Sequence, residues 1–166
     1  VTVRALDHPL HELRLTKSRP ELVSMRRSAA IACAAHRRAL GIAGPGRMEY
    51  EVMAEILHEF HRRRADISYY PIVGSGPNSC VLHYRENSRQ MQDGELLLID
   101  AGCEFDYYAS DITRTLPVGG RYSRRQRAVY EVVLEAQKAA IAKVRAGAHW
   151  NEPHEAAVRA ITQGLV

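Results

Sequence analysis

Two periods of hydrophobic spacing run along the chain, and the change between them divides it. Leu22, Met25, Ala29, Cys33, His36 and Leu40 recur at steps of three and four. That spacing predicts a helix with these residues as its inward stripe. Ser18 followed by Arg19 and Pro20 marks its start, a cap residue and then proline in the first turn; Gly41 marks its end. After the breaker Gly41-Ile-Ala-Gly-Pro-Gly-Arg47, a second helix is expected over about 49–64, with Val52, Met53, Ile56, Leu57 and Phe60 on its apolar face. Residues 1–17 read as an entry segment, a strand or linker.

From Ile67 to Val118 the period shortens and β-branched and aromatic residues become frequent. Strands are expected near 69–74, 80–84, 95–100, 104–108 and 111–117, with turns at Asp93-Gly94 and Ala101-Gly102. The short connections favour antiparallel pairing. Helices return at Ser123, where Ser-Arg-Arg-Gln fits a capping box. Val129, Val132, Val133, Ala136, Ala140 and Val144 would form the buried face, and Gly147 would end the helix. Asn151, with Pro153 in the first turn, starts a fourth helix carrying Val158, Ile161 and Leu165.

The order helix, glycine break, helix therefore occurs twice, with Gly46 and Gly147 in corresponding places. A block of strands follows the first copy. After the second copy the sequence given stops at Val166, where such a block would begin. The expectation is an α+β chain whose residues 18–166 are the first part of a larger domain, its first half complete and its second half truncated.

Composition adds little to this and excludes several classes. A hydrophobic share of 46% and a charged share of 25% are those of an ordinary globular domain. No stretch approaches the roughly 18–20 apolar residues of a membrane span, so no membrane partner is expected. The opening Val-Thr-Val-Arg-Ala-Leu-Asp has no secretory signature, and a cytoplasmic location is the expectation. The three cysteines, Cys33, Cys80 and Cys103, lack Cys-x-x-Cys spacing and read as reduced, mostly buried thiols. Basic residues outnumber acidic ones by 23 to 19, and the excess lies in arginine clusters on expected helices. Aromatic residues are not interleaved with them, so solvated helix faces are favoured over a nucleic-acid surface.

The candidate chemistry lies in the strand region. Asp100 follows Leu96-Leu-Leu-Ile99, a run that reads as a buried strand, and a carboxylate at such a place needs compensation. Asp111 follows after a segment long enough for one turn and one more strand, so the two can converge. Two adjacent carboxylates repel unless a cation lies between them, and paired hard oxygen donors suit manganese, magnesium, cobalt or zinc. The spacing alone leaves open that each merely caps a turn or a strand. His83, in Val-Leu-His-Tyr, is a hydrogen-bonded core histidine or a proton donor beside a metal. Gly74-Ser-Gly-Pro-Asn-Ser79 is not a phosphate loop: no helix is expected after it, Pro77 lacks an N–H, and lysine is absent. His58 and His61 stand three apart on a helix beside Arg62–Arg64 and read as a solvent-facing pair.

Ile72-VGSGPNSCVLH-Tyr84, Asp93-GELLLIDAGCE-Phe105 and Tyr107-YASDITRTLPVGGRYSRRQRAVYEVVLEA-Gln137 resemble aminopeptidase P, or Xaa-Pro aminopeptidase, as does the stretch 59–76. The resemblance runs over about 15–166. It implies a pita-bread fold, two similar halves around a curved and mainly antiparallel sheet. It also implies two divalent metal ions, usually manganese with cobalt or zinc as alternatives, held by two Asp, one His and two Glu. Asp100 and Asp111 match the two aspartates, the first on one ion and the second bridging both. His83 matches the histidine of the substrate pocket; Tyr69 and Thr113 would support the metal site from behind. The other His and the two Glu have no counterpart in these residues, so the 166 residues alone are expected to be inactive.

The resemblance further implies hydrolysis of the bond between a first residue and proline by a metal-bridged hydroxide. Its partners would be a peptide with an Xaa-Pro amino terminus and further copies of the same protein. Prolidase, acting on Xaa-Pro dipeptides, and a non-catalytic pita-bread binding module are the competing readings.

Overall fold

The structure, a computed structural model, describes residues 5–166. The chain forms two compact units, residues 1–120 and residues 121–166.

The first unit opens with helix α1 (Asp7–Leu15). This corrects the expected strand or linker, of which residues 1–4 lie outside the described residues. Leu6, Leu10 and Leu13 are spaced for a helix face, although all three are exposed. Helix α2 (Arg19–Ile42) begins at Ser18 as expected, and its first turn is closed by Glu21, whose carboxylate accepts from the Ser18 N–H at 2.6 Å. Its buried face is rotated from the expected one. Ser28, Ile31, Ala32, Ala35, His36 and Ala39 face inward, while Leu22, Cys33 and Leu40 are exposed. Four of these six, Ser28, Ala32, Ala35 and Ala39, are small and let α2 approach the sheets and α3 closely.

Helix α3 (Glu49–His61) buries Val52, Met53, Ile56 and Phe60, as its spacing predicts, with Leu57 partly buried. Each such side chain contributes about 1.5–3 kcal/mol by leaving water. His58 and His61 face solvent. The neighbouring arginines are engaged locally: Arg62 and Arg63 both bond the buried Glu59, and Arg38 pairs with Glu55.

Two three-stranded antiparallel sheets follow. One has the order β1 (Asp66–Ile67), β4 (Cys103–Phe105), β5 (Tyr108–Ala109); the other has the order β2 (Ile72–Ser75), β3 (Leu96–Ala101), β6 (Ile112–Pro117). Strand β3 alternates strictly. Leu97, Ile99 and Ala101 are buried in the core with Val73, Ile56 and Phe60, and Leu96, Leu98 and Asp100 take the opposite face. The expected turn at Ala101-Gly102 is a one-residue break between β3 and β4.

The strand expected at 80–84 does not form. A 3₁₀ turn (Gly76–Cys80) follows β2 instead, and the chain then runs irregularly through His83, whose φ is +53°. The physical reason is a tertiary bond network described below, which draws this segment to the start of α3 rather than to a sheet edge. Cys33 and Cys80 are exposed and only Cys103 is buried, which corrects the expectation of mostly buried thiols.

The second unit is a helix pair, α4 (Arg124–Ile141) and α5 (Glu152–Gly164). The capping box at Ser123 is present in both directions: Gln126 N–H donates to Ser123 Oγ at 3.2 Å and Ser123 N–H donates to Gln126 Oε1 at 2.8 Å. Of the expected inward face of α4 only Ala136 is buried; Val129, Val133 and Val144 are exposed. On α5 only Ala156 is buried; Val158 and Ile161 are exposed, as is Leu165 just past the helix end. Two helices share a single seam, so apolar residues on either side of it stay open. The repeated helix–break–helix order is real in backbone terms, since Gly46 (φ +85°) and Gly147 (φ +79°) both adopt the left-handed conformation that glycine permits.

Candidate metal and catalytic site

Asp100 owes its position to strand alternation and register. It stands opposite Ile72 on β2 and opposite Thr113 on β6. Directly opposed residues share a face, so Thr113 lies on the face of Asp100, and Asp111, two residues earlier, falls on that face by the same period. Asp111 reaches its place because Gly102 and Ser110 approach closely. A Cβ on Gly102 would meet the Ser110 carbonyl oxygen at 1.8 Å and Ser68 Oγ at 2.8 Å. Ser68 also donates to the Ser110 carbonyl at 2.8 Å.

The two carboxylates meet at Tyr69. Its hydroxyl is 2.5 Å from Asp100 Oδ1 and 3.0 Å from Asp111 Oδ1. Burial and then the two neighbouring carboxylates push the Tyr69 phenol well above its ordinary pKa, so it stays protonated and donates. A single O–H proton shared by two carboxylates compensates them only in part. Both present hard oxygen donors around one point, and this donor set fits a divalent cation. Among the described residues no group of three or more His, Cys, Asp or Glu is assembled that could hold a metal by itself.

A cavity of about 280 Å³ opens beside these groups, lined by Tyr69, Tyr70, Ile72, His83, Arg85, Asp100 and Asp111. His83 lines the same cavity as the aspartates, from an irregular, exposed segment and not from a core strand. Thr113 is set beside the site by its register with Asp100, and it is absent from the cavity lining.

What holds the His83 segment is Glu49, a residue that sequence reasoning missed. Glu49 opens α3 and is fully buried. Its Oε1 accepts from Ser75 N–H at 2.6 Å and Ser75 Oγ at 2.7 Å. Its Oε2 accepts from Tyr84 Oη at 2.7 Å and Arg89 N–H at 3.1 Å. Asn78 Nδ2 adds a longer bond at 3.2 Å and itself donates to Tyr84 Oη at 2.9 Å. Burial pushes the Glu49 pKa up, but these donors outweigh it and the carboxyl is held below its usual range. One buried anion thereby ties the end of β2, the 3₁₀ turn, the residue after His83 and the loop at Arg89 to the α3 N-terminus. The helix dipole there favours the same charge. An acidic residue in a first helical turn is common, and nothing in its neighbours signalled burial. Arg85 and Tyr70 were also missed; the Tyr69-Tyr70 pair was the only local hint.

Comparison with known proteins places this arrangement. The model of metallopeptidase family M24 matches residues 23–166. The chain is 48% identical over 158 residues to the Xaa-Pro aminopeptidase of Haemophilus influenzae, covering 95% of this chain and 37% of that protein. The solved structure of Pseudomonas aeruginosa aminopeptidase PepP superposes with a TM-score of 0.96 at 53% identity, over 98% of this chain and 37% of that one. A zinc-substituted Escherichia coli aminopeptidase P in complex with product gives a TM-score of 0.94 at 46% identity, over 97% and 37%. The chain thus spans little more than a third of the length of these relatives. Its strands and helices are part of the pita-bread fold that the residue motifs led one to expect. The chain belongs to metallopeptidase family M24.

Proposed function

We propose that the protein carrying this chain is a metal-dependent aminopeptidase that releases the first residue from peptides with proline in second position. The observation that carries the reading is the convergence of Asp100 and Asp111 on the Tyr69 hydroxyl, in the wall of a cavity that His83 also lines. The similarity to Xaa-Pro aminopeptidases supports the substrate class.

Asp100 and Asp111 would hold a pair of divalent ions, manganese in our reading. Two carboxylates cannot close two coordination shells, and we assign the remaining ligands, one His and two Glu, to the part of the metallopeptidase domain that these residues do not span. When bound, such a pair lowers the pKa of a water to near neutrality and supplies the nucleophile. Tyr69 keeps its proton and orients both carboxylates from behind, with Thr113 beside Asp100 in the register. His83 donates a hydrogen bond to the oxyanion that develops at the scissile carbonyl. Proline selectivity would follow from cavity shape, since the Xaa-Pro bond has no N–H and a fixed φ. Three unbridged cysteines, two of them exposed, support a reducing, cytoplasmic compartment.

The test is release of the first residue from an Xaa-Pro-Xaa tripeptide and from an Xaa-Pro dipeptide, with manganese and with chelator. Manganese-dependent cleavage of the tripeptide is the expected result. Cleavage of the dipeptide alone would make the protein a prolidase, and metal binding without cleavage of either would make it a binding module.

A further inference from the structure

The cavity that holds the two aspartates also has a cation in its wall that neither of them uses. Arg85 lines the cavity together with Tyr70. The Arg85 guanidinium carbon lies 5.4 Å from the centroid of the Tyr70 ring, and the ring face attracts and orients it. The adjacent acid, Glu86, accepts from the Arg85 backbone N–H at 3.1 Å. Arg89, four residues on, is engaged by Glu95 through two bonds of 2.5 and 2.6 Å. Among the described residues Arg85 takes part in none of the ion pairs, so its charge is positioned by an aromatic face and left without a protein anion.

A guanidinium held over a ring and paired with no acid keeps N–H groups for a ligand, and its planar fork matches a carboxylate with two parallel bonds. Asp100 and Asp111 lie in the same cavity, yet neither approaches Arg85 closely enough to form an ion pair. A substrate's ammonium group is drawn towards the aspartates and repelled by Arg85, whereas a substrate's carboxylate is drawn the other way. The cavity therefore has a polarity, and a peptide entering it with its amino end towards the aspartates would bring its later residues to the arginine.

We propose that Arg85, held over the Tyr70 ring, is a specificity-determining residue that recognises a carboxylate on the substrate peptide beyond the cleaved bond. This rests on the aminopeptidase reading of the same site. The carboxylate has two possible sources, the free carboxyl terminus of a short peptide or the side chain of an acidic residue after proline.

Four peptides in the metal-loaded protein separate them: Xaa-Pro-Gly with a free and with an amidated terminus, and amidated Xaa-Pro-Glu and Xaa-Pro-Gln. In the wild type a carboxylate in one pair or the other should raise kcat/KM about tenfold, mainly through KM, the size expected for one charge-assisted bidentate bond. The pair that responds identifies the source. Arg85→Gln should bring the ratio to near one, and Arg85→Lys should leave an intermediate ratio because the charge remains but the fork is lost. The wild-type ratio should also fall as salt is raised. A ratio near one in the wild type for both pairs, or a ratio that Arg85→Gln leaves unchanged, would overturn the proposal. Cleavage of the amidated glycine and glutamine peptides by the wild type reports separately on the aminopeptidase reading. If no peptide is cleaved, that reading fails, and the ratio of dissociation constants within each pair, in wild type and Arg85→Gln, still decides the role of Arg85.

Discussion

The Ser110 carbonyl oxygen occupies the space that a side chain on Gly102 would need, only 1.8 Å from where its Cβ would stand. The first consequence is for Gly102→Ala. Its one methyl must push apart the two segments that bring Asp111 beside Asp100, and overpacking of this kind costs about 1–3 kcal/mol. Thermal melting should show that loss. Metal affinity should fall as well, because Asp111 follows directly after the displaced residue. Unchanged affinity in a folded Gly102→Ala protein would mean that the approach does not set the aspartate geometry.

Tyr69→Phe removes the hydroxyl that the two carboxylates share and leaves the ring in place. Without metal the aspartates lose their donor, and the protein should be less stable by about 1–3 kcal/mol. Saturating manganese supplies the compensation instead, so the stability difference between variant and wild type should shrink. Equal differences with and without metal would show that the phenol and the cation do not act on the same charges.

Asp100→Ala and Asp111→Ala should each abolish turnover by loss of bound metal, read directly as metal content per protein. His83→Ala should differ from both. It should keep its metal and lose about 10²–10³ in kcat, the scale of one oxyanion donor.

Glu49 makes stability depend on pH in a defined direction. Its folded pKa is depressed below the ordinary carboxylate value. The stabilisation is therefore present above that ordinary value and is lost as pH falls through the depressed folded one. Glu49→Gln keeps the shape but not the charge, so urea denaturation should show a large deficit against wild type at pH 7 and a smaller one at pH 3. A deficit that is constant over this range would assign the effect to packing rather than to the charge.

Much of the frame was legible from local chemistry. Ser18 with Pro20, and Ser123 with Gln126, placed the starts of α2 and α4, because capping involves only neighbours in sequence. The apolar run before Asp100 placed strand β3, though not which of its residues face the core, and the order of elements exposed the repeat around Gly46 and Gly147. What escaped was decided by contacts distant in sequence. The inward face of α2 turned towards Ala32, Ala35 and Ala39 because small residues admit the sheets, which the spacing of its larger residues could not reveal. Residues 80–84 had strand-like composition, yet Tyr84 is bound to a carboxylate 35 positions earlier and the segment follows that bond. The metal reading of Asp100 and Asp111 was weak from spacing and became specific only through the surrounding motifs.

The Glu49 carboxylate has a dynamic consequence. The amides of Ser75 and Arg89 belong to different segments but donate to the same side chain. Neither segment can separate from that acceptor without a buried anion losing part of its solvation. The arm that bears His83 should therefore open in concert with the first turn of α3 and not as a free loop. Amide hydrogen exchange at Ser75 and Arg89 should show a common opening free energy, and Glu49→Gln should raise both rates together.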